Sequence, residues 1–385
     1  MSEAKAAPTP LLCWAWEPSQ LRHSSGGFSM ATANKAFPFP AFDNGNEKSL
    51  HPLKALIKRL TETYGPSGNE HIIRDVIRDE IKGLADDVRV DALGNLIARK
   101  KGNGNGTKKK IMLAAHMDEI GIIVTHVDEK GFVRFGSIGG VSPINLSGNR
   151  CFFENGMIGT FAQEKKGSSR TEVEMSKMFV DVGLSSAKDA PIQVGDAAGF
   201  WRDFVDLGDR IMSKAMDDRI GCAVLIQTMR ELKKSPHEIY FVFTVQEEVG
   251  LRGAVTSAYG VQPDLALAVD VTDTGDTPES TTMAVGLGKG PAIKVKDGGM
   301  LAHPAVKKLL VDTAQENKLP YQLEVLTGGT TDAMAMQTTR EGVPAGCVSI
   351  PTRYVHSPSE TVDFNDVQNA IKLLVNVLSK PIKLD

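Results

Sequence analysis

Apolar residues recur at three- and four-residue spacing through Leu53, Leu56, Ile57 and Leu60, which predicts a helix with Ser49 as N-cap and a stop at Gly65-Pro66-Ser67-Gly68. Ile73, Val76, Ile77 and Ile81 place a second helix behind it. The period then shortens. Residues 88–100 predict a hairpin turning at Leu93-Gly94-Asn95, and the GNGNG tract at 102–106 an exposed loop. Residues 111–115 (IMLAA) are an unbroken apolar run, the signature of a central strand buried on both faces. From Gly121 to about Gly199 the texture changes to short β-type runs (131–135, 156–161, 178–182) between glycines and polar loops, with no long helical period. That stretch predicts a small β-rich unit inserted into an α/β one.

The α/β alternation then resumes. A helix through Val224, Leu225, Thr228, Met229 and Leu232 precedes the strand at 241–245, and another strand follows at 265–272. Further strands are expected at 289–296, 321–326 and 347–350, a helix at 303–316, and a closing helix through Val367, Ile371, Leu374 and Val377. The predicted division is an extension at 1–45, a catalytic domain built from 46–120 and 200–385, and the β-rich insertion at 121–199.

Composition changes this picture little. With 385 residues, 41% hydrophobic and 24% charged, the chain can bury a sizeable core. A net charge of −3 gives no electrostatic footprint for nucleic acid or an anionic membrane. No apolar run approaches the roughly 18–20 residues of a membrane span. The four cysteines (Cys13, Cys151, Cys222, Cys347) are scattered without a CxxC pair, as expected for reduced thiols in a cytoplasmic protein rather than a disulfide frame or thiolate zinc site. Residues 1–45 mix Pro, Ser, Gly and Asn without periodicity and are expected to be a loosely ordered extension. Their LLCWAW run is too short for a signal-peptide core, although a targeting role stays open.

Candidate chemistry gathers at the ends of the apolar runs. Residues 111–115 lead into His116 and Asp118, a pairing in which an imidazole can take a metal while a carboxylate fixes its tautomer. The run at 241–245 leads into Glu247 and Glu248 and then breaks at Gly250 and Gly253. Strand side chains alternate faces, so two adjacent glutamates can share a pocket only where the backbone is already turning. Asp270 lies near the end of the strand at 265–272, His356 follows the one at 347–350, and Asp217-Asp218 opens a helix. Taken singly, each has an ordinary structural role: a hydrogen-bonded core histidine, a solvated glutamate pair, or helix capping by aspartates. Together, carboxylates and imidazoles without thiolate suit catalytic zinc, cobalt or manganese. Two histidines and three acids suffice for two metals if one acid bridges, and such a pair can activate a water against a carbonyl. His126, within the β-rich stretch, is expected to be structural.

The ordered motifs AAHMDEIG (114–121), DDR (217–219), TVQEEVGLRGA (244–254), AVDVT (268–272), GGTTDA (328–333) and RYVHSP (353–358) resemble the TET or glutamyl-aminopeptidase family of dinuclear metallo-aminopeptidases from about residue 50 onward. The resemblance implies an α/β, phosphorylase/hydrolase-like catalytic domain with an inserted β-rich, barrel-like dimerisation domain, and dimers assembling into a tetrahedral dodecamer. It implies that two divalent ions, zinc foremost with cobalt or manganese as alternatives, are held by His116 and Asp270 on one side and Glu248 and His356 on the other. Asp217, rather than Asp218, would bridge them. Glu247 would be the general base acting on the bridging water, Asp118 would orient His116, and Gly329, Thr330 and Asp332 would line the substrate cleft. The implied substrates are peptides with a free N-terminus. Three other readings compete with this one: an aminoacylase- or carboxypeptidase-like amidohydrolase, which a blocked N-terminus would discriminate, a glycosidase using Glu247 with a second acid, which would leave both histidines without a role, and a non-enzymatic scaffold, against which stands the presence of every expected ligand.

Overall fold

The computed structural model describes residues 50–103, 108–165 and 173–384. The expected extension at 1–45, the Ser49 cap and part of the 102–106 tract lie outside them. The chain opens with α1 (Pro52–Glu62) and α2 (His71–Glu80), where His51 caps α1 by accepting from the Leu53 N–H, and Pro52 occupies the first turn. The hairpin β1 (Asp87–Val90) and β2 (Leu96–Lys100) follows, then β3 (Lys110–His116). Asp91 makes the hairpin turn by accepting from the N–H groups of Leu93, Gly94 and Asn95, with Gly94 at φ +114°.

Between β3 and the rest of the α/β unit lies a closed barrel of β4 (Gly121–Val127), β5 (Val133–Ile138), β6 (Arg150–Phe153), β7 (Ile158–Gln163), β8 (Met178–Asp181) and β9 (Ala197–Trp201), in the order β4-β5-β8-β7-β6-β9. Its core is separate from that of the large sheet and is filled by Ile122, Val133, Phe153, Phe161, Val180 and Phe200 among others. The three runs expected from the sequence became β5, β7 and β8. Those at β4, β6 and β9 were not anticipated, because GIIVTHV directly follows a chemical motif and AAGFW is too small and glycine-rich to announce a strand. His126 is exposed on β4 and has no part in the site.

The chain then forms β10 (Val205–Asp206), β11 (Arg210–Ser213), α3 (Met216–Glu231), β12 (Glu238–Thr244), α4 (Arg252–Val261) and β13 (Leu265–Thr272). It finishes with β14 (Ala292–Lys296), α5 (Pro304–Glu316), β15 (Gln322–Val325), α6 (Asp332–Gln337), β16 (Ala345–Arg353), β17 (Glu360–Asp363) and α7 (Phe364–Leu378). The large sheet runs β1-β2-β12-β3-β13-β16-β17-β11-β10, with β14 also on β16 and β15 on β14. At its centre β12, β3, β13 and β16 are parallel. One face packs on α1, α2, α3, α5 and α7, the other on α4 and α6, giving three layers. Because both faces are covered, β13 is buried at every position and reads as a continuous apolar run up to its acid. Among the described residues no helix is long and apolar enough to cross a membrane, and Cys151, Cys222 and Cys347 are buried free thiols.

Candidate metal centre and active site

In an open parallel sheet, ligands gather outside the carboxyl ends of the strands where the strand order reverses. That point here is β3, flanked by β12 and β13, and its last residue His116 lies beside Thr244, the last residue of β12. After Thr244 the chain turns: Gln246 has φ +55°, and the N–H groups of Gly250 and Leu251 both donate to the Glu247 carbonyl at 2.9 Å. Glu247 and Glu248 can share a pocket because the strand has already ended. Asp118 secures the turn, accepting from the N–H groups of Glu247 (3.0 Å) and Glu248 (3.1 Å) and from the Ser67 hydroxyl (2.6 Å).

Asp217 lies at the centre. Its Oδ1 is 2.9 Å from His116 Nε2 and its Oδ2 is 3.3 Å from His356 Nε2. His356 Nε2 is also 3.2 Å from Glu248 Oε2, and His116 Nε2 is 4.0 Å from Asp270 Oδ1. Two groups of three possible metal ligands result, His116/Asp217/Asp270 and Asp217/Glu248/His356, each with ligand atoms within 4.8 Å of one another. Glu247 belongs to neither, though its Oε2 comes within 3.9 Å of His116 Nε2. The neighbouring Asp218 is turned away, accepting from the N–H groups of Gly221 (3.0 Å) and His116 (3.2 Å). A Cβ on Gly221 would fall 2.4 Å from Asp218 Oδ1, so this turn needs glycine. Arg219 is fully buried and donates to the carbonyls of Leu60, Thr63 and Gly65, tying the start of α3 to α1.

Asp118 meets His116 Nδ1 through its backbone carbonyl at 3.1 Å, with its carboxylate farther off at 3.5 Å. Gly329 and Thr330 line the cavity above the centre, a space of about 890 Å³. Asp332 lies apart from these two: it is buried and accepts from the Thr244 hydroxyl at 2.5 Å. Thr331 caps α6, and the first helical turn points Asp332 into the core.

Two contributions were not legible in the motifs. Glu360 is buried, accepting from the Asp217 N–H (3.0 Å) through one oxygen and the His356 N–H (2.8 Å) through the other. Its only sequence signal is an acid in the short run ETVD four residues after His356. Replacing Glu360 with alanine leaves the buried Asp217 N–H and the partly buried His356 N–H unpaired. This should weaken divalent-ion affinity about 10–100-fold, measured by competition with a chelating dye. The second contribution is Gly140, just past β5, where a Cβ would fall 2.4 Å from His356 Nδ1, so the barrel unit forms one wall of the site.

The donor set fits divalent cations. All donors are imidazole nitrogen or carboxylate oxygen, they crowd into a buried space, and Glu248 Oε1 is buried with no partner. Burial pushes the Asp270 carboxyl well up, with Asp217 adding to the effect. Burial likewise raises Glu247, reinforced by Asp270, Asp332 and Glu248 against the pull of His116, and raises Glu248, reinforced by Asp217. Burial opposes protonation of His116 and His356, but the carboxylates beside them outweigh it and raise both imidazoles. Asp217 is held low despite burial by its bonds to the two histidines. Raised pKa values favour the protonated carboxyls, so protons compete with a cation for these oxygens. Metal uptake should therefore release protons, and apparent affinity should fall as pH falls. Calorimetry in buffers of different ionisation enthalpy checks this, since buffer-independent heats would contradict it.

A three-layer α/β sheet with imidazoles and carboxylates converging at its carboxyl edge defines a metal-dependent hydrolase. The chain belongs to the M42 glutamyl aminopeptidase family, whose model matches residues 94–373. It is 52% identical over 325 residues, 84% of this chain and 97% of the other, to an Acetivibrio thermocellus protein assigned as an aminopeptidase. It is 36% identical to a lysyl aminopeptidase of Pyrococcus furiosus, covering 86% of this chain and 98% of that one. Its fold is similar to the Pyrococcus horikoshii TET1 peptidase, which can assemble into a tetrahedron or a large octahedral shell (TM-score 0.75, 32% identity, 86% of this chain and 100% of that one). The protein is thus a metal-dependent aminopeptidase, a hydrolase of peptide bonds.

Proposed function

We propose that the chain removes the first residue from peptides with a free N-terminus, using two divalent ions, zinc foremost with cobalt or manganese able to replace it. His116 and Asp270 would hold one ion, Glu248 and His356 the other, and Asp217 both. The observation that carries this reading is Asp217 offering one carboxylate oxygen to each histidine. Ions held there would supply Lewis acidity toward the scissile carbonyl and would acidify water. Glu247, outside both ligand groups, takes the proton from the attacking water and delivers it to the leaving amine. Asp118 holds the Glu247-Glu248 turn through its two backbone N–H groups, and the peptide lies against Gly329 and Thr330. We also read 46–120 with 200–385 as the catalytic domain and 121–199 as a dimerisation unit, with dimers building a tetrahedral dodecamer. The assembly described for the Pyrococcus horikoshii relative supports this. A cytoplasmic location belongs to the same reading, supported by the buried free thiols.

The test is a panel of aminoacyl-p-nitroanilides and their N-acetylated forms, offered to protein stripped with chelator and reloaded with zinc or cobalt. Cleavage of the free-amine substrates alone, lost on stripping and restored on reloading, is expected. Preferred cleavage of the acetylated forms would favour an acylase-like reaction instead, and sugar hydrolysis surviving the chelator would favour a carboxylate-pair glycosidase.

A further inference from the structure

Kinship leaves the preferred first residue open, since the family description refers to glutamate and the Pyrococcus furiosus relative to lysine. The charge balance of the cavity offers a physical route. Beyond the five candidate ligands and Glu247, its charged lining residues are Lys294, Arg353 and Asp273. Lys294 is buried and paired with Glu324 at 2.7 Å. Arg353 is paired with Asp276 through both Nε and Nη2 at 2.9 Å. Both cations are thereby neutralised within the protein. Among the described residues Asp273 has neither a hydrogen bond nor an ion pair. It is exposed, three residues beyond Asp270 on the segment leaving β13, and within electrostatic reach of His356 and Asp217.

With two ions bound, the cavity-lining groups of the metal centre would carry no excess charge. Two divalent cations set against Asp217, Glu247, Glu248 and Asp270, with both histidines neutral, balance to zero. Among the described lining residues, Asp273 is then the charge without a direct ion-pair partner, with Lys294 and His356 reaching it only through space. Much of the remaining lining is uncharged hydroxyl, including Thr272, Thr274, Thr277 and Ser280. Leu251, Met283 and Leu326 supply apolar surface for an alkyl stem, and Tyr354, 58% exposed, offers a ring face that favours cations.

We infer that Asp273 sets the first-residue specificity of this aminopeptidase, selecting peptides that begin with a basic residue, lysine or arginine. This rests on the aminopeptidase reading above. The stem of the basic side chain lies along the apolar wall, and its cationic head meets the unpaired carboxylate. An acidic side chain meets repulsion there, because the nearby lysine and arginine are already committed.

The experiment compares kcat/KM for lysyl-, arginyl-, leucyl- and glutamyl-p-nitroanilides with the zinc-loaded full chain, its Asp273→Asn variant and its Asp273→Lys variant. The native protein is expected to favour the lysyl and arginyl substrates. Asp273→Asn should reduce the lysyl-to-leucyl ratio about tenfold, the scale of one lost charge interaction, and Asp273→Lys should raise the glutamyl-to-lysyl ratio above the native value. If Asp273 instead meets the α-ammonium common to every substrate, all four rates fall together and the ratios stay fixed, which overturns the inference. A native preference for glutamyl or leucyl substrate also overturns it while leaving the aminopeptidase reading intact. Absence of cleavage on all four, with metal bound, defeats both.

Discussion

Glu247→Gln is expected to abolish most turnover while leaving the metal content of the protein unchanged. Glu247 stands at the turn after β12, outside both groups of candidate ligands, with Oε2 3.9 Å from His116 Nε2. The amide matches the carboxylate in shape but cannot take a proton from water. Loss of a positioned general base costs about 10²–10⁴ in rate. The loss should fall on kcat more than on KM, because the substrate's contacts with the cavity wall are untouched. Metal analysis after gel filtration, beside steady-state kinetics, separates this from a ligand role. If the variant loses an ion along with its activity, Glu247 is a ligand. If kcat changes less than tenfold, another group moves the proton.

Asp217→Ala has the larger structural consequence. Each of the other candidate ligands belongs to one group of three, whereas Asp217 belongs to both. Removing it leaves His116 with Asp270, and Glu248 with His356, two protein ligands on each side where catalytic zinc sites ordinarily use three. Both ions should be lost or greatly weakened, with activity falling to background. Asp270→Ala and His356→Ala, by contrast, should each disturb one side first. Asp218→Ala should keep both ions, since Asp218 spends its oxygens on the N–H groups of Gly221 and His116. Ion counts per chain decide the matter: two ions retained in Asp217→Ala would remove the shared-ligand arrangement.

The contrast between these neighbouring aspartates shows where sequence reasoning stops. Both lead into α3, both are buried, and either could have capped the helix. Only the approach of His116 from β3 and His356 from beyond β16 distinguishes them. The glutamate pair was more legible, because strand alternation requires a turn before two adjacent side chains can share a pocket, and the chain supplies that turn at Gln246. The position of Asp332 was not legible. Its motif lies beside the cavity wall, but a helix cap at Thr331 turns its carboxylate inward to Thr244.

By itself the sequence determined the alternation of strands and helices, the β-rich stretch between Gly121 and Gly199, and the placing of acids and histidines at the ends of apolar runs. These are local properties, written in periods of two and 3.6 residues and in the contrast between buried and polar positions. The tertiary structure decided which oxygen faces which imidazole, which of two adjacent aspartates is shared, and that Glu360 holds the backbones of Asp217 and His356 together. It also decided that Gly140 of the barrel unit closes against His356. Those outcomes depend on contacts between residues more than a hundred positions apart, and the local period carries no record of such distances.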